Sequence, residues 1–174
     1  LSGGAVEVDL GPARLDWRDI PLSRAMDTVR LDYAVALPGG GRLEGPGAVN
    51  LGNPHAVFFT DDVDALPIAE IGAGVEHDPL FPDRVNAGFA AVRGPGDIRL
   101  RVWERGAGLT LACGTGAAAA LVAACRQGRT GREAVIEADG GMLPVRWDGE
   151  GHVHLSGPVE LEDAVEVGPG FLDP

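Results

Sequence analysis

The sequence predicts an α+β domain in which strands wrap around one central, buried helix. Between Leu109 and Cys125 the 174-residue chain has no charged side chain, and a helix that is apolar on every face is normally buried. Segments that alternate polar and apolar residues occur on both sides of this helix. The 27 glycines and 13 prolines indicate tight turns between short strands. These observations favour a single domain over residues 1–174.

The first half of the chain is predicted to form strands and one short helix. Residues 5–10 alternate between apolar and acidic side chains, as a half-exposed strand does. Residues 12–27 show no sustained period and are expected to form a connection. Asp61 or Asp62 is expected to cap a short helix, which Pro67 weakens. Apolar runs predict further strands at 28–37, 48–51, 56–59 and 85–92.

The second half of the chain is predicted to contain the central helix between strands. Residues 97–104 alternate clearly, with three apolar side chains on one face. The central helix is predicted over roughly residues 116–127, with Gly128 as its C-terminal cap. Further strands are predicted near residues 133–138, 142–147, 152–155 and 159–167.

Charge and cysteine spacing limit the classes of partner. The formal net charge of −12 disfavours nucleic acid and anionic membrane surfaces. Cys113 and Cys125 stand at the two ends of the predicted helix, about 18 Å apart at a rise of 1.5 Å per residue, which is too far for a disulfide. The sequence shows no secretory signal, and glycines interrupt its uncharged run, which makes a poor membrane span. We therefore expect a cytoplasmic protein.

Cys113 is the first candidate for chemistry, because it stands beside two glycines at the start of the predicted helix. The positive end of the helix dipole favours a thiolate. Glycines let backbone N–H groups approach a bound carboxylate closely. A buried, inert cysteine is the alternative, and it is the preferred interpretation for Cys125.

Other polar residues follow or interrupt the predicted strands. Glu104 and Arg105 end one strand, where an arginine can hold a carboxylate and a glutamate can assist proton transfer or bind an amine. An exposed ion pair is the simpler alternative for these two residues. Asn53 and His55 lie between two strands, where they either form an ordinary turn or bind a polar ligand and assist proton transfer.

Two other kinds of ligand site are not favoured by the sequence. His152 and His154 share one strand face, but no further ligands cluster around them, so no metal site is predicted. The segment 114–116 is rich in glycine but lacks the lysine and the spacing of a Walker phosphate loop.

Four motifs in the same order make the sequence resemble diaminopimelate epimerase, a cofactor-independent enzyme of lysine and peptidoglycan precursor synthesis. Residues 104–117 resemble the second-cysteine motif of this family, and Gly52-Asn53-Pro54-His55 resembles its GNPH element. Phe81-Pro82 followed by Asn86 and the segment Ser156-Gly157-Pro158-Val159 resemble two further elements. Enzymes of the family have two similar halves, each with a buried helix wrapped by strands and each supplying one cysteine. This chain resembles the C-terminal half only.

The resemblance implies a reaction and a set of site residues. It implies that LL- and meso-diaminopimelate are interconverted by proton transfer between two thiol/thiolate groups, with no cofactor and no metal. The implied catalytic residues are Cys113, His55 and Glu104. The implied substrate contacts are Asn53, Asn86, Glu104, Arg105, Gly114 and Thr115.

The family's N-terminal half, with its own Cys-Gly-Asn-Gly motif, has no counterpart in this sequence. We therefore expect the missing N-terminal half to be a partner that carries the opposing cysteine. A lone half would expose strand edges and its cleft face, which predicts self-association into a homo-oligomer.

The sequence departs from the family pattern in three places, and two alternative functions stay open. Leu109 stands where the family usually has glutamate, Ala87-Gly88 replace bulkier residues, and residues 161–174 differ from the usual ending. One alternative is a related isomerase of the proline racemase or phenazine-biosynthesis type. The other is a non-catalytic domain that binds an amino acid.

Overall fold

A nine-stranded mixed sheet makes up most of the fold in the computed structural model, which describes residues 4–159. The strands of these residues are β1 (Ala5–Pro12), β2 (Ala34–Ala36), β3 (Arg42–Glu44), β4 (Gly47–Asn50), β5 (Pro54–Phe59), β6 (Asn86–Gly94), β7 (Asp97–Glu104), β8 (Gly108–Thr110), β9 (Glu133–Ala138), β10 (Gly141–Trp147) and β11 (His152–Pro158). The helices are α1 (Ile68–Glu76) and α2 (Gly114–Arg126). Within residues 4–159, no helix has the length and apolar character needed to cross a bilayer.

The sheet is mixed because helices join its parallel pairs. Its strand order is β1-β11-β10-β9-β7-β6-β5-β4, and β8 adds to β7. The pairs β5–β6 and β7–β9 are parallel. Parallel pairing needs a long crossover connection, and α1 and α2 lie in these two connections. The α+β prediction is therefore confirmed as a mixed sheet with few helices, and β2 and β3 form a separate hairpin.

Helix α2 lies in the larger of two apolar cores. All its residues from Gly116 to Ala124 are buried, as the absence of charge predicts. Its alanines let the sheet approach closely, since a Cβ added to Gly47 of β4 would lie only 2.8 Å from the Ala123 Cβ. The helix contacts β4 at one end of the sheet and β11, which is next to the other end. A complete wrapping of strands around α2 stays a prediction.

A second apolar core lies beside α1. Phe58 of β5 and Phe89 of β6 stack there with ring centroids 5.6 Å apart. Gly72 allows α1 to pack against β7, because a Cβ at that position would lie 2.6 Å from side-chain atoms of Trp103. This close packing brings Glu76, the last residue of α1, to the end of β7.

The predicted strand over residues 28–37 is wrong in extent, since only β2 is a strand there. Upstream of β2, single backbone hydrogen bonds run from the Leu31 N–H to the Pro46 carbonyl and from the Ala48 N–H to the Thr28 carbonyl. Pro46 has no N–H group to continue a ladder. The backbone also turns at Gly45, where φ is +65°.

The predicted cap of the short helix is also wrong. Helix α1 begins after Pro67, whereas Asp62 accepts hydrogen bonds from the N–H groups of Asp64 and Ala65 in a preceding turn. Proline suits the start of a helix because its φ is already close to helical and its missing N–H would have no intrahelical partner.

The remaining predicted strands and the central helix are confirmed with small shifts at their ends. Helix α2 begins at Gly114 rather than at Gly116. The short strands β3 and β8 are additions that the sequence does not indicate. The predicted strand over 159–167 falls almost entirely outside the described residues.

A contact between β1 and β11 predicts that stability depends on pH. Asp9 Oδ2 lies 2.9 Å from His152 Nδ1. The hydrogen bond to Asp9, opposed by desolvation and aided by nearby carboxylates, raises the pKa of His152 above its ordinary value of 6.5. A group with a raised folded-state pKa stabilises the fold fully below its ordinary pKa, and this stabilisation is lost as the pH rises through the raised value. We expect His152→Gln to flatten the free energy of unfolding across this pH range, measured by urea denaturation.

The same experiment has an internal check, because Asp9 is the other partner of the contact. Asp9→Asn should also flatten the pH dependence, but less than His152→Gln does, since it removes the pair and leaves Asp148 and Glu150 acting on His152. The prediction fails if both variants keep the pH dependence of the unmodified chain.

Candidate active site

Cys113 is the N-cap residue of α2. Its Sγ accepts a hydrogen bond from the Gly116 N–H at 3.3 Å and lies 3.6 Å from the Thr115 hydroxyl. The helix ladder starts with the bond from the Ala117 N–H to the Cys113 carbonyl. The N–H groups of Gly114 and Thr115 precede this first bond, so they stay available to an anion at the helix end.

The two glycines at this helix end lie against neighbouring side chains. A Cβ on Gly116 would lie 3.0 Å from Val102 and 3.1 Å from the Cys113 Sγ. A Cβ on Gly114 would lie 3.0 Å from the Leu155 side chain. A larger residue at either position would therefore displace the thiol or its surroundings. This explains why the motif has glycine at both positions.

His55 reaches the same helix end from β5. It is fully buried, and its Nε2 lies 3.0 Å from Asn53 Oδ1 and 3.2 Å from Thr115 Oγ1. An amide oxygen can only accept a hydrogen bond, so the neutral ring carries its proton on Nε2. Nδ1 is then an unprotonated acceptor, and it has no partner within the described residues.

Burial changes the acidity of both central groups. Burial, reinforced by the positive charge of Arg105, lowers the pKa of His55 to about 3, so the imidazole is neutral at neutral pH. Burial raises the pKa of the Cys113 thiol, the hydrogen bonds from Thr115 and Gly116 oppose that rise, and Glu104 adds to it. The net direction for Cys113 is the opposite of the thiolate character that the helix end alone predicts.

Asn86 and Arg105 form a second group at the ends of β6 and β7. The buried Asn86 side chain donates from Nδ2 to the Pro54 carbonyl at 3.0 Å and accepts the Arg105 N–H at 2.8 Å. The Arg105 guanidinium donates to the Asp83 carbonyl at 2.9 Å. Asn86 therefore fixes the backbone of Arg105 as well as standing among the predicted substrate contacts.

Glu104 lies between these two groups. Its Oε1 accepts a hydrogen bond from the Thr110 hydroxyl at 2.5 Å, and its charge is near enough to raise the pKa of Cys113. Asn53, His55, Thr115 and Cys113 are joined by direct contacts, and Glu104 lies beside that chain. The residues that sequence reasoning selected from separate motifs thus meet at one end of α2.

His152 and His154 lie outside this site. They contact the carboxylates of Asp9 and Asp148, each at 2.9 Å. Over the part of the chain that the structure describes, no three histidine, cysteine or acidic residues cluster in a way that could hold a metal ion.

A model of the family described as diaminopimelate epimerase matches residues 47–162. The matched range contains every residue of the site. The chain belongs to the diaminopimelate epimerase family. The family is the one that the four sequence motifs indicate.

Curated members of the diaminopimelate epimerase family are similar to nearly the whole chain. One, from Rhodospirillum centenum, is 54% identical over 169 residues, which are 97% of this chain and 56% of that protein. Another, from Erythrobacter litoralis, is 52% identical over 157 residues, which are 90% of this chain and 56% of that protein. Both are named diaminopimelate epimerase. The chain spans about half the length of these relatives.

Two solved structures have folds similar to that of this family member. A probable proline racemase from Agrobacterium radiobacter K84, with bound carbonate, superposes with a TM-score of 0.60 at 16% identity, covering 97% of this chain and 55% of that one. A protein described as a predicted epimerase from Pseudomonas aeruginosa gives a TM-score of 0.57 at 16% identity, covering 94% and 61%. At this identity the likeness concerns the fold alone.

Two residues at the site of this family member are not found by sequence reasoning. Thr110 binds Glu104, and Glu76 accepts the Gly106 N–H at 3.0 Å. Thr110 stands in a short segment in which no sequence pattern points to a functional residue. Glu76 carries one local signal, because an acidic residue at a helix C-terminus opposes the helix dipole.

Proposed function

We propose that this chain supplies one half of a cofactor-independent epimerase that interconverts LL- and meso-diaminopimelate. The observation that carries the proposal is the α2 N-terminus, where the Cys113 thiol lies beside the N–H groups of Gly114 and Thr115. Inversion at an α-carbon needs an acid/base group on each face and a firmly held carboxylate. The helix end offers one such group and a carboxylate site, and family membership supports the choice of substrate.

Cys113 acts on one face of the α-carbon. As a thiolate it removes the α-hydrogen as a proton, and the electrons of the C–H bond delocalise into the substrate carboxylate. The Gly114 and Thr115 N–H groups stabilise the charge that develops on the carboxylate. A thiol on the opposite face returns a proton and inverts the configuration. In the reverse direction Cys113 is the protonated group and delivers the proton.

His55 and Glu104 have opposite effects on the Cys113 thiol. His55 stays neutral and donates through Nε2–H, which it shares between Asn53 Oδ1 and Thr115 Oγ1. Thr115 can then direct its own hydroxyl proton to Sγ and stabilise the thiolate. Glu104 raises the pKa of Cys113 and favours the thiol. The balance of these contacts suits a group that must both accept and deliver a proton.

The other polar residues are proposed as contacts to the remaining groups of the substrate. Glu104 has the charge to bind an amine, and Arg105 has the charge to bind a carboxylate. Asn53 and Asn86 complete this set as amide contacts. Leu109, which is 39% exposed, carries no charge where the usual family pattern has a glutamate.

The proposed enzyme has two halves, of which this chain is one. Residues 1–174 form one domain that resembles the C-terminal half of the family's enzymes, with strands wrapped around α2. The missing N-terminal half supplies the opposing cysteine, and the enzyme acts in the cytoplasm. Exposed apolar residues at Val6, Val8, Leu111 and Met142 support self-association of the lone half, which light scattering can test.

Exchange of the α-hydrogen in deuterated water tests the proposed reaction. We expect the chain alone to bind meso-diaminopimelate without full inversion. Fusing the chain to the part of the Rhodospirillum centenum relative that it does not match should then give α-deuterium incorporation and inversion. Chiral chromatography and proton NMR measure the two outcomes.

Three results would count against the proposal in different ways. Full inversion by the chain alone would contradict the assignment as one half. Tight binding with neither exchange nor inversion in the fusion would favour a non-catalytic binding domain. An absence of binding in both proteins would exclude diaminopimelate as the substrate.

A further inference from the structure

Glu76 is a buried carboxylate that the proposed reaction does not use. It ends α1 and is only 3% exposed. Its Oε2 accepts the Trp103 indole N–H at 2.7 Å, and its Oε1 accepts the Gly106 N–H at 3.0 Å. Both donors belong to the segment that carries Glu104 and Arg105. The buried carboxylate is therefore directed at the end of β7 and the turn that follows it rather than at solvent.

The position of Glu76 is unfavourable for the helix itself. A negative charge at a helix C-terminus opposes the dipole, and the last turn of α1 contains no basic residue. Although burial raises its pKa, the hydrogen bonds from Trp103 and Gly106 and the charges of His77 and Arg84 outweigh that effect and lower it. Glu76 is therefore ionised at neutral pH, and its partners all lie outside α1, the adjacent His77 included.

Glu76 joins both segments that hold Arg105. The first segment is the turn after β7, where the Ala107 N–H donates to the Glu104 carbonyl and Gly106 has a φ of +78°. The second segment is the turn before β6. Arg84 in that turn lies 3.5 Å from Glu76 Oε1, and the neighbouring Asp83 carbonyl accepts from the Arg105 guanidinium. One carboxylate thus links the backbone beside Arg105 to the turn that holds its side chain.

We propose that Glu76 is a positioning residue that fixes the turn of residues 104–107 and so places Glu104 and Arg105 for substrate binding. This inference rests on the proposed function, because it assigns those two side chains to diaminopimelate. Glu76 itself touches neither substrate nor Cys113. Its effect passes through the Gly106 N–H and through Arg84.

Glu76→Gln tests this role in the chain as it stands. Glutamine has nearly the same shape but one acceptor oxygen, so its amide N–H₂ faces one of the two donors. In either orientation of the amide the Gly106 N–H loses its charged acceptor, so its hydrogen exchange should become about tenfold faster. The Leu121 amide in the α2 core should be unaffected. Glu70→Gln, on the exposed face of α1, removes the same charge and should change neither amide.

Binding of meso-diaminopimelate supplies the functional readout. By calorimetry, Glu76→Gln should weaken binding about tenfold, and Glu70→Gln should leave binding unchanged. Equal Gly106 exchange in the two variants, or faster exchange at Leu121 as well, would overturn the inference. Unchanged affinity despite faster exchange at Gly106 would also overturn it. If the unmodified chain binds no diaminopimelate, the proposed function fails, while amide exchange still decides whether Glu76 holds the turn.

Discussion

Replacing Cys113 by serine is expected to lower α-hydrogen exchange in the fused enzyme by about 10²- to 10⁴-fold, the range that one general acid/base group supplies. A serine hydroxyl does not ionise near neutral pH, so it can neither remove the α-proton nor match the thiol as its donor. Serine is a preferred N-cap residue, and its oxygen can accept the Gly116 N–H as Sγ does. The fold and the carboxylate site should therefore survive. Deuterium incorporation into each stereoisomer measures the loss.

Cys125→Ser is the matched control for Cys113→Ser. Cys125 is half-buried in the last turn of α2, and it has no role in the proposed chemistry. The same chemical change there should leave exchange within about twofold, because substitutions away from special features have small effects. Residual exchange in Cys113→Ser close to that of Cys125→Ser would remove Cys113 from the reaction.

The sequence predicts the elements whose own residues show a pattern of burial, such as an uncharged run or an alternation of polar and apolar side chains. Helix α2 is found because an uncharged, alanine-rich run can only be buried. Strand β7 is found because Ile98, Leu100 and Val102 alternate with polar neighbours, and all three are buried. The strand predicted at 28–37 fails for a different reason. Its partner segment contains Gly45 and Pro46, and no pattern within 28–37 reports what lies opposite.

The candidate site also has features that the sequence predicts and features that it does not. Cys113 and the glycines beside it are visible in one motif, because the helix end defines their chemistry locally. The contact of His55 with Thr115 joins residues 60 positions apart, so only the motif order of a family points to it. The direction of the Cys113 pKa shift depends on burial and on Glu104. Neither can be read from a helix N-terminus alone.

Replacing Thr115 by valine is expected to slow alkylation of Cys113 by about 10- to 100-fold at a fixed pH below the thiol pKa, since a hydrogen bond to a charged group contributes about 1.5–3 kcal/mol. The Thr115 hydroxyl lowers the pKa of Cys113, so its removal raises that pKa further and reduces the thiolate fraction. Valine keeps the branched shape and the backbone N–H, which leaves the carboxylate site in place. The rate of reaction with iodoacetamide as a function of pH gives the thiol pKa in the chain alone, with Cys125→Ser as the background to remove the second thiol.

Thr115→Ser separates the hydroxyl from the shape of the side chain. Serine keeps the O–H that can bridge His55 Nε2 and Cys113 Sγ, so its pH profile should stay close to that of the parent chain. Equal pH profiles for the valine and serine variants would show that the hydroxyl does not act on the thiol. In that case His55, whose Nε2 reaches Thr115 Oγ1 at 3.2 Å, would have no route to Cys113 through this contact. If the thiol pKa rises in the valine variant but not in the serine variant, the effect on Cys113 comes from the hydroxyl oxygen of residue 115.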